Sequence, residues 1–108
     1  MNYKITIKSG DIIADLSKDE VDYQIKNHLA YGSVQFLDYA SDENGNIYGI
    51  RCFADLGHGY GLEGRYQGFT LKFGETYSFD HDYISIDGPT DWNNGSFKVV
   101  LTLIKTEN

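Results

Sequence analysis

A chain of 108 residues with sixteen Asp and Glu against nine Lys and Arg, a formal charge of −7, has single-domain size and can bury one core without staples. Its 41% apolar content, nine Tyr, six Phe and one Trp are those of a globular protein rather than a disordered one, and twelve Gly beside a single Pro favour strands and turns over a helical bundle. The acid excess argues against binding of nucleic acid, which is driven by Lys and Arg neutralising phosphates, and against an anionic membrane surface; it leaves a basic partner, a cation or plain solubility.

Cys52 is the sole cysteine, so an internal disulfide and a thiolate metal cluster are both excluded, and its apolar strand context reads as a small buried hydrophobe. The N-terminal run MNYKITIKSG lacks the apolar segment of a signal peptide, and no run reaches membrane-spanning length. The expectation is a cytoplasmic protein forming one domain over residues 1–108.

Taken in chain order, Tyr3, Ile5 and Ile7 alternate with Lys4, Thr6 and Lys8, the period of a half-buried strand. Ser9-Gly10-Asp11 breaks it, and Asp11 to Asp15 is a short strand or an approach to a helix. Ser17 and Glu20 then form a capping box, with Leu16 and Val21 placed as a hydrophobic staple. Acids in the first turns and Lys26 and His28 later match the helix dipole, and Val21, Ile25 and Leu29 make an apolar stripe that Gly32 would terminate. The predicted helix runs from about residue 18 to 31.

Val34 to Leu56 reads as a long hairpin about Asn44-Gly45, a pair that tolerates the positive φ of tight turns. Gly57 to Gly68 reads as an irregular glycine-rich connection. Phe69, Leu71 and Phe73 form another alternating strand ending at Gly74. Thr76 to Phe79 and Tyr83 to Ile86 are two shorter strands separated by Asp80-His81-Asp82, and Gly88 to Ser96 is dense in turn formers. Phe97 to Lys105 is apolar on both faces and so suits a central strand. This order predicts an α+β domain: one helix packed on a mostly antiparallel sheet of five to seven strands.

Several motifs dissolve on inspection. Gly59 to Gly64 matches G-x-G-x-x-G, but a dinucleotide loop must open a helix, whereas this one leads into a strand with Glu63 where phosphate would sit. Asp42 to Asn46 alternates oxygen side chains as calcium loops do, yet Ile47 and Phe53 stand where an EF-hand needs Gly and Glu. Asp80-His81-Asp82, and His58 with Asp55 and Glu63, are the densest sets of metal-type ligands. A zinc site would require His58 and His81 to converge with a carboxylate; two exposed histidines on polar turns is the simpler reading. Cys52 sits where a thiolate is disfavoured, and no G-x-S-x-G elbow occurs. No metal, cofactor or catalytic residue is assigned, and the expectation is a protein without enzymatic activity.

The distribution of charge is more informative. No Lys or Arg falls between Lys72 and Lys98, an interval holding Glu75, Asp80, Asp82, Asp87 and Asp91; a second, between Lys26 and Arg51, holds Asp38, Asp42 and Glu43. Tyr and Trp near such loops are interface anchors, and the acids would steer a basic partner. The leading expectation is therefore a small acidic protein-binding module, an inhibitor occupying the basic, nucleic-acid-binding surface of a partner such as a nuclease. Asp80, Asp82, Tyr83, Asp87, Asp91 and Trp92 would form one contact patch, with Asp42 and Glu43 as a second. Phage anti-defence (anti-CRISPR-like) proteins and nuclease-immunity proteins share this size and charge, a likeness of type carried by no motif. The alternatives are a small-molecule or nucleotide binder using His58, Tyr60 and Arg65 of the glycine-rich loop, and a phage structural protein that assembles with itself.

Overall fold

The computed structural model describes residues 1–58, 63–86, 88–89 and 92–107, with Ile86 and Trp92 described by their backbone alone. Along the chain run β1 (Asn2–Ser9), β2 (Ile12–Ser17), α1 (Lys18–Lys26), β3 (Ala30–Tyr31), β4 (Val34–Ser41), β5 (Ile47–His58), β6 (Gly64–Lys72), β7 (Thr76–Ile86) and β8 (Trp92–Thr106). About 70% of the described residues are strand and 9% helix, and the strands form one eight-stranded sheet, not the expected five to seven strands, curled into a half-barrel. This overturns the expectation of an α+β domain. The sheet, not a helical layer, covers its own apolar face, and α1 supplies a single fully buried residue, Val21.

The sheet order is β2-β1-β8-β7-β5-β4-β3, with β6 on the other edge of β5. Every pairing is antiparallel except where β7 meets β5 at Gly57 and Asp82. That contact joins a β2-β1-β8-β7 half to a β3-β4-β5-β6 half. Tyr3, Ile5, Ile7, Phe79, Val99, Leu101 and Leu103 of the first then bury against Val34, Phe36, Ile50, Cys52, Ala54 and Leu71 of the second. Phe69 stacks on Tyr77 with ring centroids 3.8 Å apart, a contact that draws β6 and β7 together across the core.

The β1 alternation, the 34–56 hairpin and the interior place of β8, between β1 and β7, all stand as expected. In the hairpin turn it is Gly45 alone that takes positive φ, at 80°, while the Asp42 side chain accepts from the amides of Asn44 and Asn46. Four element boundaries are corrected. β8 begins at Trp92 and not at Phe97, so Asn93 to Ser96, read among the turn formers, are strand paired to β7. The helix stops at Lys26, not near 31: the Asn27 side chain bonds back to the Tyr23 carbonyl, His28 adopts φ 55°, and Leu29 is left exposed. The capping box is made, with Ser17 Oγ accepting from the Glu20 amide at 3.2 Å. The two short strands around Asp80-His81-Asp82 are one strand, β7, because these residues pair with Lys98, Phe97 and Ser96 of β8. The glycine-rich connection is shorter than expected, since β5 runs to His58 and β6 starts at Gly64.

Hydrogen-bonded aromatic residues pin the helix to the concave side. Tyr3 and Tyr39 share a hydroxyl–hydroxyl bond of 2.6 Å, Tyr39 donates to Asp22, and Lys18 pairs with Asp22 at 2.8 Å. Burial, then the Tyr39 bond, pushes the Tyr3 phenol far above its ordinary value. Burial also raises the Asp22 carboxyl, but the bonds from Lys18 and Tyr39 outweigh it and hold the group below its ordinary value.

Candidate functional site

The structure distributes the expected contact residues over both ends of β5. Asp42 and Glu43 lie at the β4–β5 turn, and Asp82 sits beside Gly57. Ten residue steps along the strand separate Ile47 from Gly57, about 33 Å. The two acidic sets are distinct patches, and Asp42 is already occupied as a turn cap. Asp87 and Asp91 lie outside the described residues, as do Tyr60 and the side chain of Trp92.

On β7 the strand period separates the remaining three. Asp80 and Asp82 share one face and Tyr83 the other. Asp80 stands opposite Lys98 in the β7–β8 ladder, and Asp82 is paired with Arg65, whose guanidinium also donates to the Leu56 carbonyl at 3.0 Å. Each of these acids therefore has a cationic neighbour. His58, Asp82, Tyr83, Asn94, Gly95 and Ser96 line an open cleft of about 370 Å³, so the alternative pair His58 and Arg65 both stand close to Asp82.

His81 is not on an exposed turn. It is half-buried within β7, its ring stacked on Phe97 at 4.9 Å, and Nδ1 lies 2.7 Å from the Asp55 carbonyl and 3.1 Å from Ser33 Oγ. A carbonyl only accepts, so Nδ1 carries the proton. His81 thus ties β7 to β5 and to the β3–β4 turn. Among the described residues no group of three or more His, Cys, Asp or Glu is arranged to hold a metal ion. Burial pushes the Cys52 thiol up to about 12, which keeps it protonated and unreactive.

A feature absent from the expected set lies on the convex face of β5 and β6. Phe53, Asp55 and Tyr66 project there, opposite in alternation to the buried Cys52 and Ala54. Phe53 is 43% and Tyr66 67% exposed. Each ring lies over a glycine: a Cβ on Gly68 would be 3.4 Å from Phe53 Cε1, and one on Gly64 would be 3.0 Å from Tyr66 Cε2. Tyr83 does the same on β7, where a Cβ on its partner Gly95 would fall 2.3 Å from the ring. Aromatic cover compensates the missing side chain of a strand glycine, and each of these rings stays exposed to solvent. The sequence signal was the spacing of Gly64, Tyr66 and Gly68, submerged in what read as a loop.

Beside Phe53, Arg51 makes a two-pronged ion pair with Asp38 across the β4–β5 ladder, which holds the Asp38 carboxyl below its ordinary value. Among the described residues no helix is long and apolar enough to cross a membrane. A scan of family models and searches of curated proteins and of solved structures give no match.

Proposed function

We propose that this chain is a small, acidic, non-catalytic module that docks on the basic surface of a partner protein and blocks it, working in the cytoplasm. The observation that carries the reading is the set of exposed aromatic rings lying over glycines, Phe53, Tyr66 and Tyr83, on the strands that also bear Asp55, Asp80 and Asp82. A ring already fixed by its own sheet loses little freedom on binding, the property of an interface anchor. The −7 charge favours encounter with a basic surface, of the kind that holds nucleic acid.

Capture from a bacterial lysate at low salt, eluted by a salt gradient, tests this. The expected result is a basic nucleic-acid-binding protein, competed away by nucleic acid. Asp80→Asn with Asp82→Asn should slow association and flatten its salt dependence, while Phe53→Ala with Tyr66→Ala should speed dissociation. Binding that ignores both pairs of substitutions refutes the reading.

The cleft of His58, Asp82 and Tyr83 favours a second reading, a site for a small polar ligand. A ligand screen that shifts His58 and Asn94 resonances while no protein partner is retained would select it.

A further inference from the structure

The rings of Phe53 and Tyr66 form one wall of a groove on the convex face; the β3–β4 turn forms the other. The groove encloses about 230 Å³, and Ser33, Gln35 and Asp55 contribute its polar lining. Tyr66 stands directly opposite Asp55 in the β5–β6 ladder, and Phe53 is diagonal to it, so two aromatic faces and one carboxylate share a patch a few ångströms across. We propose that this groove takes the guanidinium group of an arginine side chain. The inference rests for its biological sense on the partner reading above, and names the chemistry that partner presents.

The argument is one of complementarity. Asp55 uses Oδ1 to accept from the Gly57 amide at 2.8 Å, and Oδ2 has no partner among the described residues. Among the described residues no Lys or Arg lines the groove, and none pairs with Asp55. The Gln35 amide, on the same face, also has no partner there. The lining thus offers a free carboxylate oxygen and an amide oxygen as acceptors beside two π-faces. A phosphate finds no donor of positive charge here. A planar cation with several N–H groups satisfies all of these at once, lying against a ring while donating at its edge. An ammonium fits less well, because it cannot stack.

The test is a two-dimensional NMR titration of the full chain with N-acetyl-arginine amide, beside N-acetyl-citrulline amide, its neutral near-isostere. Arginine should shift the resonances of Ser33, Gln35, Phe53 and Tyr66, and citrulline should not. Asp55→Asn should weaken the arginine probe about tenfold, the loss expected for a hydrogen bond to a charged group. Asn keeps an oxygen for the Gly57 amide, and an unchanged spectrum outside the groove verifies the fold. Citrulline binding as well as arginine would overturn the proposal, as would shifts scattered over Asp42 and Asp80 or no localised shift at all. If arginine binds the groove while lysate capture fails, the partner reading falls and the guanidinium site stands. A captured partner whose affinity ignores both Asp55→Asn and Tyr66→Ala leaves the function standing and removes the site.

Discussion

Gly57→Ala should separate the two halves of the molecule. Gly57 has φ 79°, and a Cβ there would lie 1.8 Å from the carbonyl oxygen of Asp82, at the single place where β7 pairs with β5. Two costs add. The left-handed backbone conformation with a Cβ costs about 1–2 kcal/mol. The clash is with backbone, so no rotamer relieves it; β7 must move, and the His81 bond to the Asp55 carbonyl is stretched or lost, about 2–3 kcal/mol more for a displaced ladder and a part-buried donor left with Ser33 Oγ alone. The sum, about 4 kcal/mol, is a large part of the 5–15 kcal/mol typical of a domain. With an unfolding entropy of about 2.1 cal/mol/K per residue, this chain loses a degree of Tm for about every 0.23 kcal/mol, so the fall should be about 17 °C. Gly45→Ala is the control, since Gly45 has φ 80° but a Cβ on it would meet nothing within 4 Å, and it should cost only the first term, about 1–2 kcal/mol. Thermal and urea unfolding followed by circular dichroism measure both. If the two variants agree within about 1 kcal/mol, the smallest difference such transitions resolve with ease, then the close approach at Gly57 is not what joins the halves.

Tyr39→Phe removes the acceptor of the Tyr3 hydroxyl and the donor to Asp22; Tyr3 is 2% exposed, so the loss should be about 2 kcal/mol, measured by urea unfolding. Tyr3→Phe added to it should restore part of that stability, and a double variant no better than the single would mean that packing, not the orphaned hydroxyl, sets the cost. Cys52 should react with a disulfide reagent only as fast as the core opens, because it is buried and its thiol stands at about 12; rapid labelling of the native protein contradicts this. Asp22 lies below its ordinary 3.8, so the unfolded state binds its proton first as the pH falls. The stability Asp22 contributes is whole above 3.8 and is lost as the pH drops through the lower folded value. Asp22→Asn should therefore be less stable at neutral pH and show a shallower loss in acid, and an unchanged acid slope would deny the carboxylate that role.

What the sequence made legible was local. The capping box at Ser17 and Glu20 and the Asn44-Gly45 turn rest on contacts within a few residues, the alternation of Tyr3, Ile5 and Ile7 is the period of a single strand, and each is present in the fold. What it hid was set by partners far along the chain. Asp80-His81-Asp82 reads as a polar break, yet β8 pairs with every residue of it, and ladder hydrogen bonds are indifferent to the polarity of side chains. The helix was read too long because Leu29 fits the stripe, whereas the Asn27 bond to the Tyr23 carbonyl and the positive φ of His28 end the helix before it. The α+β assignment failed because one amphipathic helix implies a cover for one sheet face, and a nine-residue helix is too small for a sheet that curls over its own apolar face. The candidate site was legible as acids and aromatics, but its geometry was not, because alternation on β7 and β6 decides which of them share a face.

Asp55 shows how joint and site depend on one another. Its amide donates to the Ser33 carbonyl at 2.8 Å, its carbonyl accepts from His81, and Oδ1 accepts from the Gly57 amide. These three bonds fasten β5 to the β3–β4 turn, to β7 and to the bulge at Gly57. Asp55 also lines the groove beside Tyr66, and its Oδ2 is the acceptor that these bonds leave over. The carboxylate that would meet a cation is therefore held by the same bonds that close the half-barrel, and it need not reorganise on binding. It follows that Gly57→Ala, by disturbing that fastening, should weaken the arginine probe as well as the fold, whereas Asp55→Asn should weaken the probe and largely spare the fold. Probe affinity that survives Gly57→Ala would show that the groove is built by Phe53 and Tyr66 alone.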